Sequence, residues 1–158
     1  MPDPIPWYAE VHVPALLRHA RHAYGAAMRK ALEAAGCGDI PANGLYVIGG
    51  LALERKEVPL AALIRDLRIS KQAAGQLVDA LVARGYLERN VDPEDRRRLV
   101  VTLTRRGRKA AATLAAARES IDAELEERIG ERAVGVLRRG LAALIEIDHR
   151  RNAEGASP

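Results

Sequence analysis

Residues 69–108 read ISKQAAGQLVDALVARGYLERNVDPEDRRRLVVTLTRRGR. Ser70 has the chemistry of a helix cap, a side-chain oxygen offered to the free amides of a first turn. Behind it, residues 71–84 place Ala74, Leu77, Val78, Leu81 and Val82 on one helical stripe. Gly85 suits the left-handed position that closes such a helix. Two strand-like runs follow, 86–90 and 99–103. In the second, Leu99, Val101 and Leu103 alternate with Arg98, Val100 and Thr102, which predicts one buried face. The connection, 91–98, holds Asp92, Pro93, Asp95 and three consecutive arginines. Thr104 is placed to cap the next helix.

Upstream, Pro59 is expected at the first position of a short helix ending near Asp66, with 67–70 as a turn. Residues 43–53 read as a largely buried helix in which Gly49 and Gly50 permit close packing. From 11 to 35 an apolar stripe recurs at helical spacing: Val13, Leu16, Leu17, Ala20, Tyr24, Ala27, Met28, Ala31. Gly36, Gly38 and Pro41 end it. Pro2, Pro4 and Pro6 make the first residues an extended arm. Downstream, a long helix is expected to about Ile129, an interruption at Gly130, and a last helix to about Arg150. That last helix carries Leu137, Leu141 and Leu144 on one stripe. The outer helices have apolar stripes but little nearby to bury them against, so a partner copy is the expected cover. The predicted class is mainly α with a small β-hairpin wing.

Composition agrees. The 158 residues include 29 Ala and 21 Arg but only 3% aromatics and no Phe, a bias toward helix and against an aromatic-cored sandwich. Net charge is +4, yet residues 84–109 alone carry nine Lys or Arg against four acids. One basic block on a nearly neutral body is the footprint of a polyanion-binding surface. A single Cys excludes an intrachain disulfide framework. The start lacks the basic and apolar regions of a signal peptide, and the longest apolar run, 44–53, is too short for a membrane span. A cytoplasmic protein with no membrane partner is expected. No G-x-S-x-G, H-E-x-x-H, Walker loop or C-x-x-C occurs, so no enzyme and no cofactor is expected.

The Ser-Lys-Gln opening at 70–72, the LVDALVARGYL junction and the DPEDRRRLVVTLT wing together resemble the MarR family of bacterial transcriptional regulators. The wing is the specific part: Asp-Pro-x-Asp-x-Arg, an apolar strand, then Leu-Thr-x-x-Gly. The resemblance covers about 40 residues tightly; the flanking helices agree in order and length. It implies a winged helix-turn-helix flanked by N- and C-terminal dimerisation helices, and a homodimer offering two winged helices to a pseudo-palindromic operator in double-stranded DNA. Residues 1–36 would be the arm and first dimerisation helix, 37–104 the DNA-binding domain, 105–150 the long helix and second dimerisation helix, and 151–158 a disordered tail.

On this reading Lys71, Gln72 and Gln76 face base edges, since Gln pairs with adenine and Lys with guanine. Ser70 also touches phosphate. Arg97 matches the arginine that enters the minor groove and Asp95 the acid that orients it. Arg96 and Arg98 meet phosphates. Two positions depart from the family pattern: Arg68 stands where glycine is usual, and Arg105 where an acid is frequent. Arg105, Arg106 and Arg108 oppose the dipole of the helix they open, which makes sense beside a phosphate. Gly75 costs about 1 kcal/mol against Ala inside a helix; close approach of DNA or close helix packing explains it equally well. Val13, Leu16 and Leu17 would join Leu137, Leu141 and Leu144 at the dimer interface. Trp7, Tyr8, Tyr24 and Tyr46 are candidates to line the pocket of a small-molecule effector, with a core role as the plainer reading. Cys37 has no basic neighbour in sequence to activate it, and His12, His19 and His22 lack the partners of a metal site. The function expected is a ligand-responsive repressor. The alternative is a helical dimeric interaction protein whose basic hairpin binds an acidic protein.

Overall fold

The computed structural model describes residues 5–53, 58–67 and 69–155. Two compact units divide near Arg118. In the first, a 3-10 turn at Trp7–Glu10 precedes α1 (Val13–Ala34), α2 (Gly44–Leu53), β1 (Val58–Pro59), α3 (Leu60–Asp66), α4 (Lys71–Ala83), β2 (Leu87–Val91), β3 (Leu99–Leu103) and the start of α5 (Arg105–Ile129). The second holds the rest of α5 and α6 (Glu131–Gly155). The class is as expected: mainly helical with a small antiparallel sheet.

The local signals around α4 act as their chemistry requires. Ser70 accepts from the Ala73 amide at 3.1 Å. Gly85 adopts φ +74°, and the Tyr86 amide donates to Leu81 O at 2.9 Å, satisfying a carbonyl that the helix end leaves open. Ala74, Leu77, Val78 and Leu81 are buried and Val82 half-buried. Leu77, Val78 and Leu81 join one core with Leu32, Ile48, Tyr86, Leu87, Val101 and Leu114, and Val82 packs against it. Each such aliphatic side chain contributes about 1.5–3 kcal/mol by burial, so Leu81→Ala should cost about 2–5 kcal/mol.

The hairpin differs from expectation in two ways. A third strand exists: β1 pairs with β3, Val58 opposite Val101 and Pro59 opposite Val100, giving the order β1-β3-β2. Pro59 therefore lies in an edge strand, where its missing N–H is harmless, and caps α3 rather than opening it. Second, Val100 is buried and Leu99 is exposed, against the simple alternation. β3 is central, with α2 and α3 also packed on it, so Val100 and Val101 are both covered although they point to opposite faces. Leu99 pairs with Val91 at the far end of the ribbon, and both are exposed.

The glycines are also redistributed. A Cβ at Gly49 or Gly50 would meet nothing within 4 Å, so neither permits close packing. Close approach occurs at Gly44, beside Ile40 and Leu81, and above all at Gly107, where a Cβ would fall 2.0 Å from the Tyr86 carbonyl oxygen. That contact is the physical reason for the last letter of Leu-Thr-x-x-Gly. In the second unit, Gly130 takes φ +81° between α5 and α6. The last helix runs to Gly155, five residues past its expected end at 150.

Candidate nucleic-acid interface

The start of α4, the hairpin tip and the β1–α3 segment enclose a cleft of about 660 Å³ lined by Pro59, Ile69, Lys71, Arg97, Arg98 and Leu99, among others. Three of the sequence candidates thus converge from two elements. Gln72 and Gln76 are exposed on α4 outside this cleft, as are Arg96 and Arg105 on the tip and α5. Arg68 lies outside the described residues. A Cβ at Gly75 would meet nothing within 4 Å. Packing within the chain therefore does not explain this glycine.

Carboxylates shape the tip by holding backbone. Asp95 accepts from the Arg97 amide at 3.0 Å, and its carbonyl accepts from the Arg98 amide at 2.9 Å. Asp92 accepts from the Glu94 amide at 2.9 Å and approaches Arg98 Nε at 3.9 Å. These are local turns closed by Asx side chains. Among the described residues the Asp95 carboxylate thus meets the main chain of Arg97 and no guanidinium. Among the described residues the side chains of Arg96 and Arg97 make no hydrogen bond or ion pair.

Arg106 and Arg108 are engaged by the protein itself. Arg108 donates to Leu103 O at 2.6 Å. Arg106 donates to Arg84 O at 2.6 Å and to Asp39 at 2.9 Å, and its guanidinium lies 4.3 Å from the Tyr86 ring centre. The Tyr86 hydroxyl also donates to Asp39. That hydrogen bond, then the Arg106 charge, holds the Asp39 carboxyl below its ordinary range, against an opposing effect of burial. Burial first and the bond to Asp39 second push the Tyr86 phenol up. Arg106 is therefore a clamp between the end of α4, the entry to β2 and the loop after α1, rather than a free cation awaiting phosphate. Cys37 is buried beside this cluster. A second tie, the Arg89–Asp79 ion pair, links β2 to α4. Sequence reasoning misses both, because Asp39 is 67 residues from Arg106 and nothing local marks either pair.

Of the four aromatic candidates, Tyr24 and Tyr46 share a cleft of about 360 Å³ between α1, α2 and the start of α5. Tyr46 also lines a cleft of about 650 Å³ with Arg21, Val47, Leu63 and Ile69. Trp7 and Tyr8 line neither; they are exposed and pack edge to face with ring centres 5.8 Å apart. Val13, Leu17, Leu137 and Leu144 are exposed, while Leu16 and Leu141 are half-buried.

The same architecture appears in solved structures. Streptococcus pneumoniae FabT in complex with DNA aligns at TM-score 0.74 and 17% identity, over 87% of this chain and 96% of that one. S. aureus MepR in a DNA-binding conformation aligns at 0.70 and 18%, over 85% and 97%. Apo MarR from E. coli aligns at 0.63 and 20%, over 85% and 97%. No curated protein matches the chain. The sequence model of the MarR family matches residues 45–98, which run from α2 to the hairpin tip. That segment, which includes the Asp-Pro-x-Asp-x-Arg half of the wing motif, is similar to the MarR family, and the fold around it is the one these solved structures share.

Proposed function

We propose that the chain is a sequence-specific DNA-binding transcriptional regulator that acts as a homodimer. The observation that carries this is the juxtaposition of an exposed α4 N-terminal face, Lys71, Gln72 and Gln76, with a wing whose Arg96 and Arg97 have no partner among the described residues. A recognition helix reads base edges in the major groove through its N-terminal residues. An arginine on an adjoining wing gains from the negative potential of a narrow minor groove. The open face at Gly75 lets a DNA backbone approach the helix more closely than any side chain would. Arg98, Arg105 and Ser70 are assigned to phosphates, which position the protein without reading sequence. FabT, solved with DNA, shares the fold.

The exposed apolar residues of α1 and α6 support self-association. A large exposed apolar face, rimmed by polar residues, marks an interaction surface. A dimer would present two recognition helices to successive major grooves, about 34–36 Å apart. An effector in the clefts around Tyr46 would change that spacing and release DNA, so the regulator is read as a ligand-responsive repressor.

Fluorescence anisotropy on DNA from upstream of its own gene and on scrambled DNA tests the reading. Tight binding to the first alone is expected, with log K falling by about 0.9 per neutralised phosphate per decade of salt. Equal, weak binding to both would leave a basic hairpin that meets an acidic protein instead. Sedimentation of the full-length chain should give twice its 17.2 kDa mass.

A further inference from the structure

A third cleft, of about 490 Å³, lies on another flank of α1 and against residues 42–46. It is lined by Arg18, Arg21, His22, Arg29 and Asn43, with Gly25 and Ala26 leaving room between the cations, and by no Asp or Glu. The volume falls within the roughly 300–1,000 Å³ typical of small-molecule sites. Arg18 and His22 stand one turn apart and Arg29 two turns beyond His22, so they form one stripe. The only acid of α1 is Glu33, and it does not line the cleft. Like charges gathered on one stripe repel, and here no carboxylate of the cleft wall relieves them.

Two of these cations are already held. Arg21 donates from Nε to the Tyr46 hydroxyl at 3.2 Å and lies 4.7 Å from that ring's centre. Arg29 reaches Ile40 O at 3.5 Å. Prior fixing lowers the ordering cost of binding, and the Nη groups of Arg21 are left for a ligand. Arg18 and His22 make no hydrogen bond or ion pair among the described residues. The exposed apolar Val13 and Leu17 lie about 100–140° round the helix from Arg18, so a partner covering that flank leaves this one open.

We infer that this cleft is an oxyanion site for a ligand of the phosphoryl class carrying two or more negative charges. Arginine forks suit such oxygens by paired, charge-assisted hydrogen bonds. Asn43 and His22 add further hydrogen-bond donors of the kind that fix orientation. The phosphoryl groups have two sources, a phosphorylated small molecule or the backbone of DNA flanking an operator, and only the second rests on the DNA-binding reading.

Titration calorimetry of the full-length protein with inorganic pyrophosphate, against sodium chloride at matched ionic strength, tests it without DNA. Saturable binding is expected, weakened about tenfold or more in Arg18→Gln/Arg29→Gln by the loss of two charge-assisted donors. Arg138→Gln/Arg139→Gln, which removes the same charge from residues that do not line the cleft, should shift it by less than about twofold, since exposed charges outside a site are screened by salt. The charge-conserving pair Arg18→Lys/Arg29→Lys should recover part of the affinity, and circular dichroism melts check folding of each variant. If DNA is the source, pyrophosphate does not saturate, and the Gln pair weakens binding to an extended duplex while leaving the trimmed operator unaffected. The inference is overturned by an equal loss in the α6 control. It is also overturned if pyrophosphate fails to saturate and the Gln pair binds the extended duplex like the parent.

Discussion

The hairpin tip and the first turn of α5 each carry three arginines, yet the protein uses the two sets differently. At the tip, Arg96 and Arg97 project from a turn whose backbone is tied by Asp92 and Asp95, and their guanidinium groups have no partner among the described residues. In the first turn of α5, Arg106 and Arg108 reach back to the carbonyls of Arg84 and Leu103; Arg105 is the exposed member without such a bond. The first set is presented outward by a braced platform, and the second helps brace it. Removing charge from one set should change binding, and from the other, stability. A buried or backbone-bonded cation already has its hydrogen bonds, so a phosphate can gain little from it.

The largest effect that would break this contrast is at the junction of the two sets. Gly107→Ala forces a Cβ against the Tyr86 carbonyl, and neither backbone can yield without moving β2 or α5. A loss of about 3 kcal/mol or more is expected, read as a lowered denaturation midpoint in urea. Gly75→Ala meets no neighbour and should raise helix stability by up to about 1 kcal/mol while weakening DNA binding; unchanged binding would remove close approach as its explanation.

The tip is sharpened by Asp95. Asp95→Ala removes the acceptor of the Arg97 amide and should weaken operator binding by about tenfold, the scale of one misplaced groove contact, despite removing a negative charge. Asp95→Asn keeps an acceptor oxygen and should bind nearly as the parent does. Equal loss in both variants would assign the role to charge rather than to the turn.

The smallest effect concerns Asp39. Its carboxyl is held low in the folded state by the Tyr86 hydroxyl and the Arg106 charge. The resulting stabilisation is present above the ordinary carboxylate pKa and is lost as pH falls through the lowered value. Asp39→Asn should therefore melt slightly below the parent at neutral pH, and the gap should close in strong acid. A gap independent of pH would remove the charge from the account of the clamp.

The contrast is half legible in the residues. α4 is readable because its ends are punctuated, Ser70 as cap and Gly85 beyond the last turn, and because four stripe positions are buried. The wing is readable as a motif. Asp95, however, reads as the partner of a guanidinium when it holds an amide, since sequence does not separate a side-chain target from a backbone one two residues away. β1 leaves no signal because two residues ending in proline carry no alternation, and without β1 the burial of Val100 has no cause. The three α5 arginines read as one basic patch, because the carbonyls and the distant Asp39 that engage two of them are set by the fold.

The central claim is tested most directly by comparing Arg97→Ala with Arg106→Ala, each removing one positive charge per chain. Operator affinity by fluorescence anisotropy and thermal midpoint by circular dichroism are measured on the same samples. Arg97→Ala should lose about 1–3 kcal/mol of operator binding per wing with its melting point unchanged. Arg106→Ala should melt lower, by the loss of hydrogen bonds worth about 1 kcal/mol each, and should bind operator nearly as the parent does while folded. If both lose affinity equally at unchanged melting points, the two sets form one undifferentiated basic surface and the account is wrong.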